Sequence, residues 1–254
     1  MEEQRRFAES LADAARAETL PRFTVGCTAD DKGGAAGFDP VTEADREAER
    51  AMRALIEAQH PDHGISGEEF GDKPASGPFA WSLDPVDGTR AFVCGMPTWV
   101  TLVALLRDEL PVLGIIDVPR LDERYVGYGE RCWLNGTPVE VSGCRTLAEA
   151  RLSTTDPFLF QGAEEEAFTR IRKATRTARY GQDGYAYARL AAGTIDLVVE
   201  SGLKPHDYNA LIPVVRGAGG VIGNWKGGSD FTAGCVVAAA SLELFDAAVE
   251  MLNA

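Results

Sequence analysis

The chain has 254 residues, 45% of them hydrophobic, enough to fill one large domain or two small ones tightly joined. Its formal net charge of −14 makes a surface that repels nucleic acid and anionic membranes, so neither is an expected partner. Five cysteines with no CxxC pair, and only three histidines, argue against a disulfide framework, a zinc knuckle or a His-rich metal site, and leave oxygen ligands for magnesium open. The N-terminal residues are charged throughout and no apolar run reaches membrane length, so the expected location is cytoplasmic.

Taken in chain order, residues 3–19 have Phe7, Leu11, Ala14 and Ala15 on one face of a helix. Residues 28–38 read as a mobile loop. Thr42 is placed as a helix N-cap with Asp45 three residues on, as in a capping box, and Pro61 stops that helix after about residue 59. From residue 80 the pattern turns to strands over 80–83, 98–106, 113–117 and 124–127, with a turn at 109–111. A soft boundary near 140–146 divides a first subdomain (1–142) from a second (143–254). The second carries strands over 150–154, 195–200 and 235–239, and helices over 164–175, 184–192, 208–217 and 242–252. Pro213 inside one of these implies a kink or a later start. Irregular alternation of strands and helices predicts layered mixed sheets of α+β class.

The most informative stretch is Trp81-Ser82-Leu83-Asp84-Pro85-Val86-Asp87-Gly88-Thr89. An apolar strand ends in two carboxylates three residues apart, and Pro85 between them fixes φ and biases Asp84 to an extended conformation. Such a turn can aim both carboxylates and the Val86 carbonyl at one Mg²⁺. Gly88 allows close backbone approach, and the turn opening at Thr89 has N–H groups for a phosphate. An ordinary Asp-Pro turn with an Asx hydrogen bond explains the same residues. Glu68 and Glu69 after Gly67 supply either a ligand and base or a solvated turn. Asp45 and Asp207, the latter in Leu203-Lys204-Pro205-His206-Asp207, serve equally as helix-capping residues.

In combination these motifs, Val41-Thr42-x-x-Asp45, Gly67-Glu68-Glu69, Asp84-Pro85-x-Asp87-Gly88-Thr89 and a late Asp207, resemble the inositol monophosphatase superfamily from about residue 5 to the end, with Gly217-Ala218-Gly219-Gly220 as weaker support. The resemblance implies a layered αβαβα sandwich of the fructose bisphosphatase type, a homodimer and a magnesium-dependent phosphatase of small phosphate esters. It assigns Glu68, Asp84 and the Val86 carbonyl to a first Mg²⁺ and Asp84, Asp87 and Asp207 to a second, with two or three ions per site. Glu68, Thr89 and Asp45 become the catalytic set, the last two orienting and activating the attacking water. The Gly88 and Thr89 amides, with Asp87, hold the phosphate.

One branch resembles the chain more closely, the bacterial histidinol-phosphate phosphatases. The matching residues are Arg90-Ala91-Phe92, Gly95-Met96-Pro97-Thr98-Trp99, Tyr180-Gly181-Gln182-Asp183-Gly184-Tyr185-Ala186-Tyr187, and Leu203 to Asp207 extended by Leu211-Ile212-Pro213. His206 stands where inositol monophosphatases usually have Trp and the histidinol branch usually has Tyr. The branch implies L-histidinol phosphate as substrate, within histidine biosynthesis. Carboxylates would select its cationic amine, with Glu200 and Asp183 the candidates and a strand-end charge and a helix N-cap their plain alternatives. The rival functions are inositol 1-phosphate hydrolysis and a non-catalytic metal- or phosphate-binding protein on the same scaffold.

Overall fold

The structure, a computed structural model, describes residues 1–23, 30–31 and 40–254. Apart from Asp30 and Asp31, the loop expected over 28–38 lies outside the described residues. Helix α1 (Glu2–Arg22) buries Phe7, Leu11 and Ala15, and runs three residues past the expected end. Strands β1 (Asp30–Asp31) and β2 (Pro40–Val41) form a short antiparallel pair. Helix α2 (Glu43–Gln59) opens on the expected capping box: Thr42 Oγ1 accepts from Ala44 N (3.1 Å), and the Asp45 carboxylate accepts from Thr42 N (2.8 Å).

Strands β3 (Gly64–Gly67) and β4 (Phe79–Asp87) follow, then the short helix α3 (Thr89–Val93) and β5 (Val100–Arg107). Strands β6 (Leu110–Val118), β7 (Glu123–Tyr128), β8 (Arg131–Leu134) and β9 (Thr137–Val139) complete a seven-stranded sheet in sequential order, antiparallel except for the parallel β3–β4 pair. The β5–β6 turn is Asp108–Glu109, both at positive φ, rather than 109–111. Leu110 and Pro111 are already in the strand. Pro111 sits beside the register irregularity at Leu105/Leu106, where the ladder is interrupted and a missing N–H is tolerated.

The second sheet holds β10 (Arg151–Thr154), β11 (Thr177–Tyr180), β12 (Leu197–Glu200), β13 (Val221–Asn224) and β14 (Val236–Ala239), in the order β11-β10-β12-β14-β13. Its helices are α4 (Ala163–Ala174), α5 (Asp183–Ala191), α6 (Pro205–Tyr208), α7 (Leu211–Gly217) and α8 (Leu242–Leu252). The single helix expected over 208–217 is thus two, α6 and α7. Pro213 is the third residue of α7, inside the first turn, where a helix loses no hydrogen bond to proline.

The layers run α1–α2, seven-stranded sheet, α5–α7, five-stranded sheet, α4–α8, as expected of an αβαβα sandwich. Phe7, Met52, Ile56, Trp81 and Leu83 pack the first interface. Leu102, Ile116, Tyr187, Leu211 and Val215 fill the middle, and Leu152, Phe168, Leu197 and Phe245 the last. The larger sheet ends at Val139 and the smaller begins at Arg151, while the central helices share one core with both. The chain preceding α7 presses directly on β6: a Cβ on Gly114 would lie 2.1 Å from the Ala210 carbonyl oxygen. The buried Asn209 Nδ2 donates to Ser82 Oγ (3.2 Å), fixing the end of α6 against β4.

Candidate functional site

The site begins where β4 breaks register. Asp84 faces Leu102 and Asp87 faces Val100, so Pro85 and Val86 together span the single residue Thr101. This bulge bends the strand end and re-aims its side chains. Thr101 Oγ1 donates to the Pro85 carbonyl (2.7 Å), and Val86 N donates to Asp84 Oδ1 (3.1 Å), so the Asx hydrogen bond of an ordinary turn is present as well. Gly88, at φ 84°, then turns the chain into α3. On the facing element Asp207 is the third residue of α6, not its cap. Its Oδ2 accepts from Lys204 N (2.6 Å). One oxygen each from Asp84, Asp87 and Asp207 lie within 4.8 Å of one another.

Burial drives the Asp84 and Asp87 carboxyls well above the usual carboxylate range, reinforced by Glu68 for the first and Asp183 for the second. Burial raises Asp207 also. Among the described residues no cationic side chain forms an ion pair with Asp84 or Asp87. Converging acids with a nearby backbone carbonyl, two of them without an ion-pair partner among the described residues, make a donor set that a hard, oxygen-loving cation of the magnesium type fits.

Glu68 lines the same cleft. Behind it stands a residue pair that the sequence reading missed. The buried Glu49 accepts from Glu69 N through Oε2 (2.8 Å) and from Arg53 Nε through Oε1 (2.7 Å), and Arg53 also donates to the Phe70 carbonyl (3.1 Å). Asp45, Glu49 and Arg53 recur at intervals of four on α2 beside its apolar stripe, the signal that could have found them. Asp45 itself divides its oxygens. Oδ2 serves the cap, and Oδ1 lies 3.5 Å from Thr89 Oγ1, which donates to the Val86 carbonyl at 3.0 Å. Burial pushes the Asp45 carboxyl up to about 6.

The cleft has a volume of about 230 Å³. Beyond the acids and the Gly88–Thr89 turn its walls include Arg90, Thr155, Leu159, Asp183, Lys204 and His206. Asp183 is the first residue of α5 rather than its cap, in left-handed backbone at φ 44°. The next amide, Gly184 N, donates to Asp87 Oδ2 (2.5 Å). Burial pushes the Asp183 carboxyl up to about 6. Glu200, the other expected selectivity acid, is placed differently. It is 2% exposed, sits behind Thr155 and does not line the cleft, and burial pushes its carboxyl up to about 8. His206 Nε2 lies 3.5 Å from Asp207 Oδ1. Arg90 approaches Asp156 at 4.0 Å.

The chain is 48% identical over 193 residues to the chloroplastic bifunctional phosphatase IMPL2 of Arabidopsis thaliana, a match covering 75% of this chain and 56% of that protein's length. It is 33% identical over 253 residues to a histidinol-phosphatase of Mycobacterium tuberculosis, covering 96% of each. The solved structure of an inositol monophosphatase from Zymomonas mobilis superimposes with a TM-score of 0.89 at 41% identity, covering 100% of this chain and 98% of that one. Residues 1–253 match the inositol monophosphatase family, and the chain belongs to it as one of its phosphatases.

Proposed function

We propose that this phosphatase hydrolyses L-histidinol phosphate to L-histidinol and inorganic phosphate with Mg²⁺, as a cytoplasmic homodimer serving histidine biosynthesis. The observation that carries the substrate is Asp183, a half-buried acid that lines the cleft and packs against Gly88, within reach of the organic part of a phosphate ester held at that turn. A fixed acid there selects a cationic amine over a neutral polyol. The histidinol-phosphatase named among the relatives supports the same reading.

Glu68, Asp84, the Val86 carbonyl, Asp87 and Asp207 would hold two or three magnesium ions. Bound there, magnesium supplies positive charge to the phosphoryl oxygens and makes water easier to deprotonate. The chain's own groups do the rest. The Gly88 and Thr89 amides and Asp87 position the phosphate. The Thr89 hydroxyl and Asp45 orient the attacking water, and the Asp45 carboxylate is the base that takes up its proton. Inositol 1-phosphate is the second reading, favoured by the 41% identity to the Zymomonas protein.

Glu68→Gln and Asp84→Asn should each abolish Mg²⁺-dependent phosphate release while circular dichroism stays native. Near wild-type turnover in either variant would remove that residue from the mechanism.

A further inference from the structure

Charged and polar groups dominate the walls of the cleft. Among the described residues that line it, Leu159 is the only large apolar side chain open to solvent, at 44% exposed. The other apolar side chain there, Val86, is fully buried. A single leucine on an open surface needs no explanation. This one sits in the concavity that takes the substrate, where an apolar side chain is a surface for the ligand to cover.

The chain holds Leu159 in place from both sides. Before it, the Thr155 amide and hydroxyl donate to Oε1 of the buried Glu200 (2.7 and 3.1 Å), and Gly181 N donates to the Thr155 carbonyl (2.7 Å). After it, Phe160 is buried and stacks on Phe168 with ring centroids 4.4 Å apart. Between these anchors Asp156 closes a turn. Its Oδ1 accepts from Phe158 N (3.0 Å) and its carbonyl accepts from Leu159 N (3.1 Å). The neighbouring Phe158 is 88% exposed and does not line the cleft. A side chain on a backbone already fixed makes its contact without a further ordering cost.

Besides its phosphate and its amine, L-histidinol phosphate carries an imidazole ring, whose flat faces pack on apolar surface. Inositol 1-phosphate bears a hydroxyl on every remaining ring carbon and gains little from such a surface. We propose that Leu159 is a specificity-determining residue: it forms the apolar wall on which the imidazole ring of the substrate packs. The inference rests on the reading of the substrate as L-histidinol phosphate.

The test measures kcat and KM with Mg²⁺ near pH 8, where an imidazole with an ordinary pKa of about 6.5 is neutral. The substrates are L-histidinol phosphate, L-alaninol phosphate (the same amino phosphate without the ring) and inositol 1-phosphate. The proteins are the wild type, Leu159→Ala, Leu159→Met and Phe158→Ser. Leu159→Ala should lower kcat/KM on L-histidinol phosphate by about tenfold, chiefly by raising KM, and leave L-alaninol phosphate within about twofold of the wild type. Leu159→Met, which keeps an apolar side chain of similar volume, should retain most of the wild-type value. Phe158→Ser should match the wild type on all substrates. In Leu159→Ala, an equal loss on the histidinol and alaninol phosphates, or no loss on either, would overturn the inference. A loss in Phe158→Ser as large as that in Leu159→Ala would overturn it too, by making the turn as a whole responsible. A wild type with no preference for L-histidinol phosphate over inositol 1-phosphate would instead sink the substrate reading on which the inference depends.

Discussion

The Asp45 carboxylate and the Thr89 hydroxyl face each other at 3.5 Å across 44 residues of chain. One is the third residue of α2 and the other the first of α3. Asp45 satisfies the start of its own helix with one oxygen and presents the other to the Thr89 hydroxyl, which lines the cleft, so the capping and catalytic readings of this residue are compatible. Removing the hydroxyl separates them. Thr89→Ala should lower kcat about a hundredfold, the usual weight of a positioned proton-handling group, and change unfolding free energy by only about 1 kcal/mol. Initial rates and urea melts on the same preparation check both.

The acid cluster predicts an inverted pH dependence in the metal-free protein. Asp45 and Asp183 rise from an ordinary 3.8 to about 6, and Glu200 from 4.5 to about 8. Between about pH 4 and pH 8 the folded chain therefore binds more protons than the unfolded chain, and stability falls as pH rises through that window. Each proton retained only in the fold contributes a slope of about 1.4 kcal/mol per pH unit. With EDTA present, unfolding free energy should be lower at pH 8 than at pH 5. Magnesium needs the raised carboxyls of Asp84, Asp87 and Asp207 deprotonated, so its stabilising effect should be larger at pH 8.

Gly184 offers a separation of stability from metal binding. A Cβ there would lie 2.5 Å from Asp87 Oδ2. The residue is helical with ordinary φ, so alanine is otherwise the better helix former, by about 1 kcal/mol. Gly184→Ala should fold with near-native stability in EDTA while displacing the Asp87 carboxylate. Calorimetric Mg²⁺ affinity is expected to fall at least about tenfold.

Glu49 reaches neither substrate nor cleft, but it holds Glu69 N and Arg53. Glu49→Ala leaves Arg53 without that carboxylate and frees the turn that carries Glu68. A loss of about 3 kcal/mol in stability, with weakened Mg²⁺ binding, is expected by denaturation and calorimetry.

Much of this was legible in the chain because local chemistry and global fold agree. The cap at Thr42, the stop before Pro61 and the helix Leu242–Leu252 follow from capping residues and apolar period. Strands β8, β9 and β11 escaped because each has four residues or fewer with exposed positions among them, and β13 because its four residues carry adjacent buried positions, so period two never builds up. The site divides the same way. Asp84, Asp87 and Asp207 are brought together by a bulge and a helix start, both with turn chemistry visible in sequence. Glu49, Thr155 and the screening of Glu200 depend on contacts between distant elements, which spacing along the chain does not encode.

The most direct test of the proposed function is phosphate release in Mg²⁺ from L-histidinol phosphate and inositol 1-phosphate, compared by kcat/KM. We expect a preference for histidinol phosphate of roughly a hundredfold or more, about 2.7 kcal/mol in transition-state binding. An equal or greater kcat/KM on inositol 1-phosphate would contradict it.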